Sequence, residues 1–235
     1  MRIIKSLLLL VVVIVIIGFL IPADLRGGWF YHLYGRALDL TGNSAGAVDY
    51  YKLSMESMPD EVRFTRAYAR ALNDIAEETE DEGMYVSAYN VAHDFIRDHE
   101  DDPGLWQMYV EEARADWGRG RRNNAKATID IAVDLRPLEY EALVYQGIIY
   151  RDIQPAREAA IQLSIPIFEQ AIEVRNGTRT YWAHYELARA YWMLRDEDRA
   201  LNELEQSLSQ FPPRWLREDA ERLKQEIQSS GRTER

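Results

Sequence analysis

Ala47, Tyr51, Ser54 and Pro59 follow Gly35 in a spacing that recurs along the chain. After Trp106, the residues Ala125, Ile129, Ala132 and Pro137 fall on the same places, and after Tyr181 so do Ala188, Tyr191, Ala200, Leu204, Ser207 and Pro212. A period of about 34 residues, with a small residue in each helix and a proline at the end, predicts stacked helical hairpins. A single hairpin cannot bury its apolar face alone, so the repeat also predicts that neighbouring hairpins share one continuous core.

The repeat does not extend to the start of the chain. From Leu7 to Ile21 only Gly18 interrupts Leu, Ile, Val and Phe. With residues 3–6 added, the segment reaches about 28 Å as a helix, close to the hydrocarbon thickness of a bilayer. Lys5 sits at its edge, where a long side chain can reach the interface. Residues 1–23 are therefore expected to form a transmembrane signal-anchor. A cleaved signal peptide is the competing reading, for which Ile21-Pro22-Ala23 is a poor cleavage site. Arg2 and Lys5 before the apolar run favour a cytoplasmic N-terminus and a domain on the extracytoplasmic side, periplasmic in a bacterium. Residues 24–28, with Gly27-Gly28, read as a short linker.

There is no cysteine, which excludes disulfides, a thiolate nucleophile and a lipid-modified cysteine. Without Arg2 and Lys5, the chain beyond residue 23 carries 26 Lys+Arg against 39 Asp+Glu, a net charge of −13. That charge argues against nucleic acid and against anionic lipid as partners.

The hairpins divide the chain at about 28–61, 62–105, 106–139, 140–178 and 181–214. An amphipathic capping helix follows at 214–228, with Trp215, Leu216, Ala220, Leu223 and Ile227 on one side, and residues 229–235 read as a frayed tail. Tyr31, Tyr34, Gly35 and Leu38 are expected on the inner face of the first helix, and Pro59 at the start of the third. Two units break the period. The second is about ten residues too long and contains the acidic stretch Glu77, Glu78, Glu80, Asp81 and Glu82, which reads as a solvated connector. The fourth is in phase only with about five residues inserted near 154–158, which brings Phe168 and Ala171 to the inward places. Asn176-Gly177 reads as its end and, with Thr178, as a glycosylation sequon.

These residues resemble the tetratricopeptide repeat (TPR) family, whose signature is a large residue, Leu-Gly, Tyr, and later Ala, an aromatic and Pro. The resemblance covers about 28 to 228. It implies an all-α, right-handed superhelical solenoid of about five hairpins with a C-terminal cap, here behind one transmembrane helix. It also implies protein binding rather than catalysis. In this family the second, fifth, ninth and twelfth places of each first helix line a concave groove. The ninth place here is Arg36, Arg70, Arg114, Ile148 and Arg189 in turn. Arg63, Arg66 and Arg151 join them, as do the aromatic residues Trp29, His32, Trp117, Trp182, Tyr185 and Trp192. Acids at those places are few, chiefly Asp39 and Glu141. The expectation is a basic, aromatic groove for an acidic or carboxylate-ended protein segment. The competing expectation is that each arginine pairs with an acid on a neighbouring helix. The family's carboxylate clamp uses Lys and Asn at these places, which this chain lacks.

No cofactor, metal or catalytic site is expected. His93 and His99 are six residues apart and fall on different helix faces, and His32 and His184 stand alone. Asp98 to Asp102 is acidic like a calcium loop, but Pro103 takes the place of the loop glycine. The cluster Arg119, Arg121 and Arg122 is too small to argue for nucleic acid. The expected role is a membrane-anchored scaffold or assembly adaptor. A stable structural subunit of a membrane complex, or a regulatory arm of a membrane-bound enzyme or protease, are the alternatives.

Overall fold

The structure, a computed structural model, describes residues 26–153 and 157–233. The anchor expected over 1–23 lies outside the described residues. Among the described residues no helix is long and apolar enough to cross a membrane. The described residues form helices joined by turns, with no strand among them. The chain divides into two compact units, Met1–Gly120 and Arg121–Arg235. The division falls in the turn of the hairpin expected over 106–139.

The first unit contains α1 (Arg26–Leu40), α2 (Ser44–Ser57), α3 (Val62–Thr79), α4 (Glu82–Asp98) and α5 (Leu105–Gly118). The helix ends follow local chemistry. The Asn43 side chain accepts a hydrogen bond from the Gly46 N–H at 3.1 Å and opens α2. The Asp81 carboxylate accepts from the Gly83 N–H at 2.8 Å and opens α4. Between α3 and α4, Glu80 takes a left-handed conformation at φ 56°. The extra length of the second hairpin is therefore absorbed by long helices, 18 residues in α3 and 17 in α4, and not by a loop. Two details differ from the sequence reading. Gly27 and Gly28 are helical, and α3 begins at Val62, after Pro59.

The second unit contains α6 (Arg122–Leu135), α7 (Tyr140–Arg151), α8 (Arg157–Val174), α9 (Tyr181–Met193), α10 (Glu197–Ser209) and α11 (Arg214–Thr233). Asn176 and Gly177, at φ 48° and 69°, turn the chain after α8. Pro166 lies inside α8 and removes one helical hydrogen bond. The last helix extends to Thr233, beyond the 228 expected for the cap, with Leu216, Ala220 and Ile227 buried.

Small residues set the helix spacing. A Cβ on Gly35 would lie 2.9 Å from the Tyr51 ring, and one on Gly147 would lie 2.4 Å from the Phe168 ring. Both rings are buried. Ala47, Ala125, Ala188 and Ala200 are fully buried. Hydrogen bonds repeat with the same register. The Ser54 hydroxyl donates to the Gly28 carbonyl at 2.7 Å, and Ser207 donates to the Tyr181 carbonyl, also at 2.7 Å. Each bond links the end of a second helix to the start of the first helix of its hairpin. The inward place expected for Tyr34 goes instead to Gly35 alone, since Tyr34 stays exposed.

Replacing Gly147 with Ala sets two effects against each other. The helix propensity gain is about 1 kcal/mol. Overpacking against the Phe168 ring costs about 1–3 kcal/mol. Gly147→Ala should lower the urea midpoint. In a Phe168→Leu background, where the ring is gone, the same change should be neutral or stabilising. A raised midpoint for Gly147→Ala alone would show that the ring does not seat on the glycine.

Candidate functional site

In the first unit the expected groove residues lie on α1, α3 and α5. Aromatic rings from α1, α2 and α3 pack together. Trp29 meets Phe64 edge-on at 5.2 Å between ring centres, and His32 lies 5.3 Å from Phe64 and 5.6 Å from Tyr51. The Arg63 guanidinium stands 4.7 Å above the Trp29 ring, within reach of a cation–π attraction. Burial, together with the charges of Arg36 and Arg63, lowers the His32 pKa from 6.5 to about 4. His32 is therefore a neutral packing residue at physiological pH. Arg36 and Arg63 remain exposed.

Further along α3 the electrostatics change. Arg114 on α5 is only 1% exposed. Its Nη2 donates to Asp74 at 2.6 Å and to Glu77 at 2.9 Å, and its Nη1 donates to Glu111 at 3.0 Å. Glu111 is fully buried and also accepts from the Asn73 amide at 3.2 Å. Arg66 lies 3.6 Å from the other Glu111 oxygen and 5.9 Å above the Trp106 ring, and Arg70 lies 3.8 Å from Asp74. Three guanidiniums and three carboxylates meet here, so the cluster is close to neutral. Trp117, near the end of α5, is half-buried.

The second unit repeats the motif on a smaller scale. Glu186 on α9 is buried and accepts from Arg151 of α7 at 2.6 Å and from Arg189 at 3.2 Å. Burial pushes the Glu186 carboxyl pKa up, but the two guanidiniums outweigh it and hold it below its usual value. Arg151 is buried, whereas Arg189 is exposed and lies 5.8 Å above the Tyr185 ring. Trp182 meets Tyr145 edge-on at 5.0 Å, and Arg195 lies 5.6 Å above Trp192.

Two of the expected groove residues are therefore corrected. Arg114 and Arg151 are sunk beneath the surface and held by carboxylates of their own unit. Acids at groove places alone, Asp39 and Glu141, do not foretell this. Glu111 and Glu186, one helical turn before Arg114 and Arg189, escape such a reading, as does Asp74, one turn after Arg70. Helical neighbours at these separations share a face, so the signal is present in the sequence. Glu77, which opens the expected acidic connector, is a helical residue bound to Arg114.

Other polar residues are accounted for locally. His93 pairs with Glu112 at 2.8 Å, and His184 with Glu203 at 2.7 Å. Among the described residues no group of three or more His, Asp or Glu is placed to hold a metal ion.

Neither a family model nor a curated relative matches the sequence. Solved structures do match the fold. TTC0263, a thermophilic TPR protein of Thermus thermophilus, is 18% identical at a TM-score of 0.64, over 82% of this chain and 96% of that one. Cut9–Hcn1, an APC/C hetero-tetramer, gives 16% identity and a TM-score of 0.63, over 79% of this chain and 34% of that one. Yeast Tom70 gives 14% and 0.61, over 88% and 41%. The likeness establishes a TPR-like, all-helical fold.

Removing one partner from the buried cluster should be far worse than removing two. Arg114→Met leaves the Glu111 carboxylate buried without its main counter-charge and should cost about 3–5 kcal/mol in chemical denaturation. The double change Arg114→Met/Glu111→Met should recover most of that loss. A second outcome concerns pH. The unfolded chain protonates His32 below 6.5, while the folded chain does so only near 4. The stability conferred by the neutral ring is complete above pH 6.5 and declines as pH falls toward 4. His32→Phe should flatten this part of the stability–pH curve relative to the parent protein, as followed by thermal unfolding at stepped pH.

Proposed function

We propose that this chain is a non-catalytic protein-binding scaffold. Its exposed basic and aromatic surfaces take an acidic or carboxylate-ended segment of another protein. The observation that carries this reading is Arg63 over Trp29, with Arg36 exposed on the neighbouring helix. In a domain of net charge −13, exposed guanidiniums beside an aromatic face are the groups suited to fork onto a carboxylate. Arg66 and Arg70, further along α3, lie against Glu111 and Asp74 and add little free positive charge to that surface. In the second unit Arg189 on Tyr185, with Trp182 and Trp192, offers the same chemistry. Arg114 and Arg151 brace these surfaces from beneath. One chain of similar fold comes from a protein complex, the APC/C hetero-tetramer Cut9–Hcn1.

The scaffold is held at a membrane by residues 1–23, with the N-terminus cytoplasmic and the helical domain extracytoplasmic. This part of the reading is supported by the 7–21 apolar run and by the placing of Arg2 and Lys5 before it. Anchoring raises the effective concentration of the scaffold toward partners on the same surface.

The test uses the full chain in detergent and a panel of fluorescent peptides, acidic or basic, with free or amidated C-termini. Acidic and free-carboxylate peptides should bind, and more weakly as salt rises. Arg36→Glu/Arg63→Glu should weaken binding at least about tenfold, that is by about 1.4 kcal/mol. The helical circular dichroism signal should be unchanged, because neither side chain is buried. Equal binding of basic peptides, or an unaffected double variant, would overturn the reading. Reversing Arg114 is no test of binding, since that change breaks the buried cluster.

A further inference from the structure

The outward face of the first hairpin carries a continuous aromatic patch. Phe30 and Tyr34 on α1 are 43% and 39% exposed, and Leu53 on α2 is 40% exposed. Phe30 stacks on Tyr34 at 6.4 Å with an 18° angle between rings. Tyr34 packs on Tyr50 at 4.4 Å, and Tyr31 lies 6.2 Å from Phe30 and 6.4 Å from Tyr50. Between Gly27 and Gly35 there is no Lys, Arg, Asp or Glu. The terminal unit of a stacked-hairpin protein ordinarily needs a polar outer face. The last helix provides one, since Arg214, Glu218, Glu221 and Arg222 of α11 are exposed. The first hairpin does the opposite.

We infer that this patch docks on the bilayer interface, with the rings of Phe30, Tyr31, Tyr34 and Tyr50 at the level of the lipid headgroups. The inference rests on the membrane anchoring proposed above. Three observations single out lipid as the occupant. The apolar run ends at Ile21, and only residues 22–25 separate it from Arg26, where the first described helix begins. Such a tether reaches at most about 17 Å. The patch therefore cannot stray far from a membrane that holds residues 3–21. Its chemistry is that of aromatic side chains that settle at the interface, where the ring bodies leave water and the Tyr hydroxyls stay hydrated. Charge then explains why the contact is neutral. A domain of net charge −13 is repelled by an anionic surface, so a close approach is tolerated on zwitterionic lipid and through the α1 side of the patch, with the exposed Asp49, Lys52 and Glu56 of α2 left at its edge beside Leu53. Docking would fix the orientation of the first unit at the membrane instead of leaving it to swing on its tether.

The absence of cysteine makes the test direct. The full chain, with Tyr34→Cys, Leu53→Cys or the control Asp60→Cys, is labelled with an environment-sensitive fluorophore and reconstituted in phosphatidylcholine vesicles. Flotation is measured first. Headgroup-level nitroxide lipid then serves as quencher. The expected result is that all three float, and that labels at positions 34 and 53 are blue-shifted and quenched several-fold more than the label at 60. Adding Phe30→Ser to the Leu53→Cys chain should reduce that quenching. If the chain floats but the labels at 34 and 53 behave like the one at 60, docking is overturned while anchoring stands. If the chain does not float, anchoring itself fails and docking falls with it. If the label at 34 self-quenches at low protein density, the face binds a second copy of the chain and the lipid assignment is overturned.

Discussion

Tyr51 against Gly35 and Phe168 against Gly147 are one contact made twice, an aromatic ring of the second helix seated where the first helix has no side chain. The hairpins depend on it, because the ring fixes how closely the two helices run and hence which other residues become inward. In the fourth hairpin the ring stands five places further from its glycine than in the first. The extra residues fall outside the contact, and the ring still lands on the glycine. In the fifth hairpin Ala188 and Leu204 keep the separation of Gly35 and Tyr51, and both are fully buried. What is held constant across the repeats is a volume shared between two helices. The identity of either residue is secondary.

The contact also explains two unlike glycines near one turn. Gly118 is the last residue of α5 and abuts the Tyr85 ring, with a Cβ there only 2.2 Å from it. Gly120 meets nothing nearby and is required for its φ of 74°. The first is a packing glycine and the second a turn glycine. In the sequence both are legible only as turn residues, because a sequence shows adjacency along the chain and not the ring that arrives from α4.

The fold is legible in the sequence to the extent that it rests on short periods. Ala47, Ala125, Ala188 and Ala200 are buried where the spacing puts them, and Ser54 and Ser207 make the same bond to the same carbonyl place. Spacing alone does not resolve the lengthened second hairpin, because Glu77 to Glu82 carries every outward sign of a loop. Only Glu80 and Asp81 form the connector; helix runs through Thr79, with Glu77 bound to Arg114, and resumes at Glu82, where Asp81 caps α4. The exposure of Tyr34 has a related cause. Tyr and Gly at successive positions cannot both face inward on a helix, and the close approach of Tyr51 leaves room only for the glycine.

Site residues divide by their neighbours rather than by their place in the repeat. Arg114 and Arg189 occupy the ninth place, and each has a glutamate one turn earlier. Each such glutamate is buried, and a buried carboxylate recruits guanidiniums from every helix that can reach it, Arg66 and Arg114 for Glu111, Arg151 and Arg189 for Glu186. Arg36, at the same place in the first unit, has no acid in the turn before it; Asp39, one turn on, lies within its electrostatic reach but is also held by the Tyr51 hydroxyl at 2.5 Å. Arg63 has the Trp29 ring. An aromatic neighbour offers a cation a surface without neutralising it, so the exposed Arg63 guanidinium keeps its charge available to solvent. At Arg63 positive surface therefore arises where a ring stands in for a carboxylate. That is a property of pairs of residues, which a census of arginines at repeat positions cannot show.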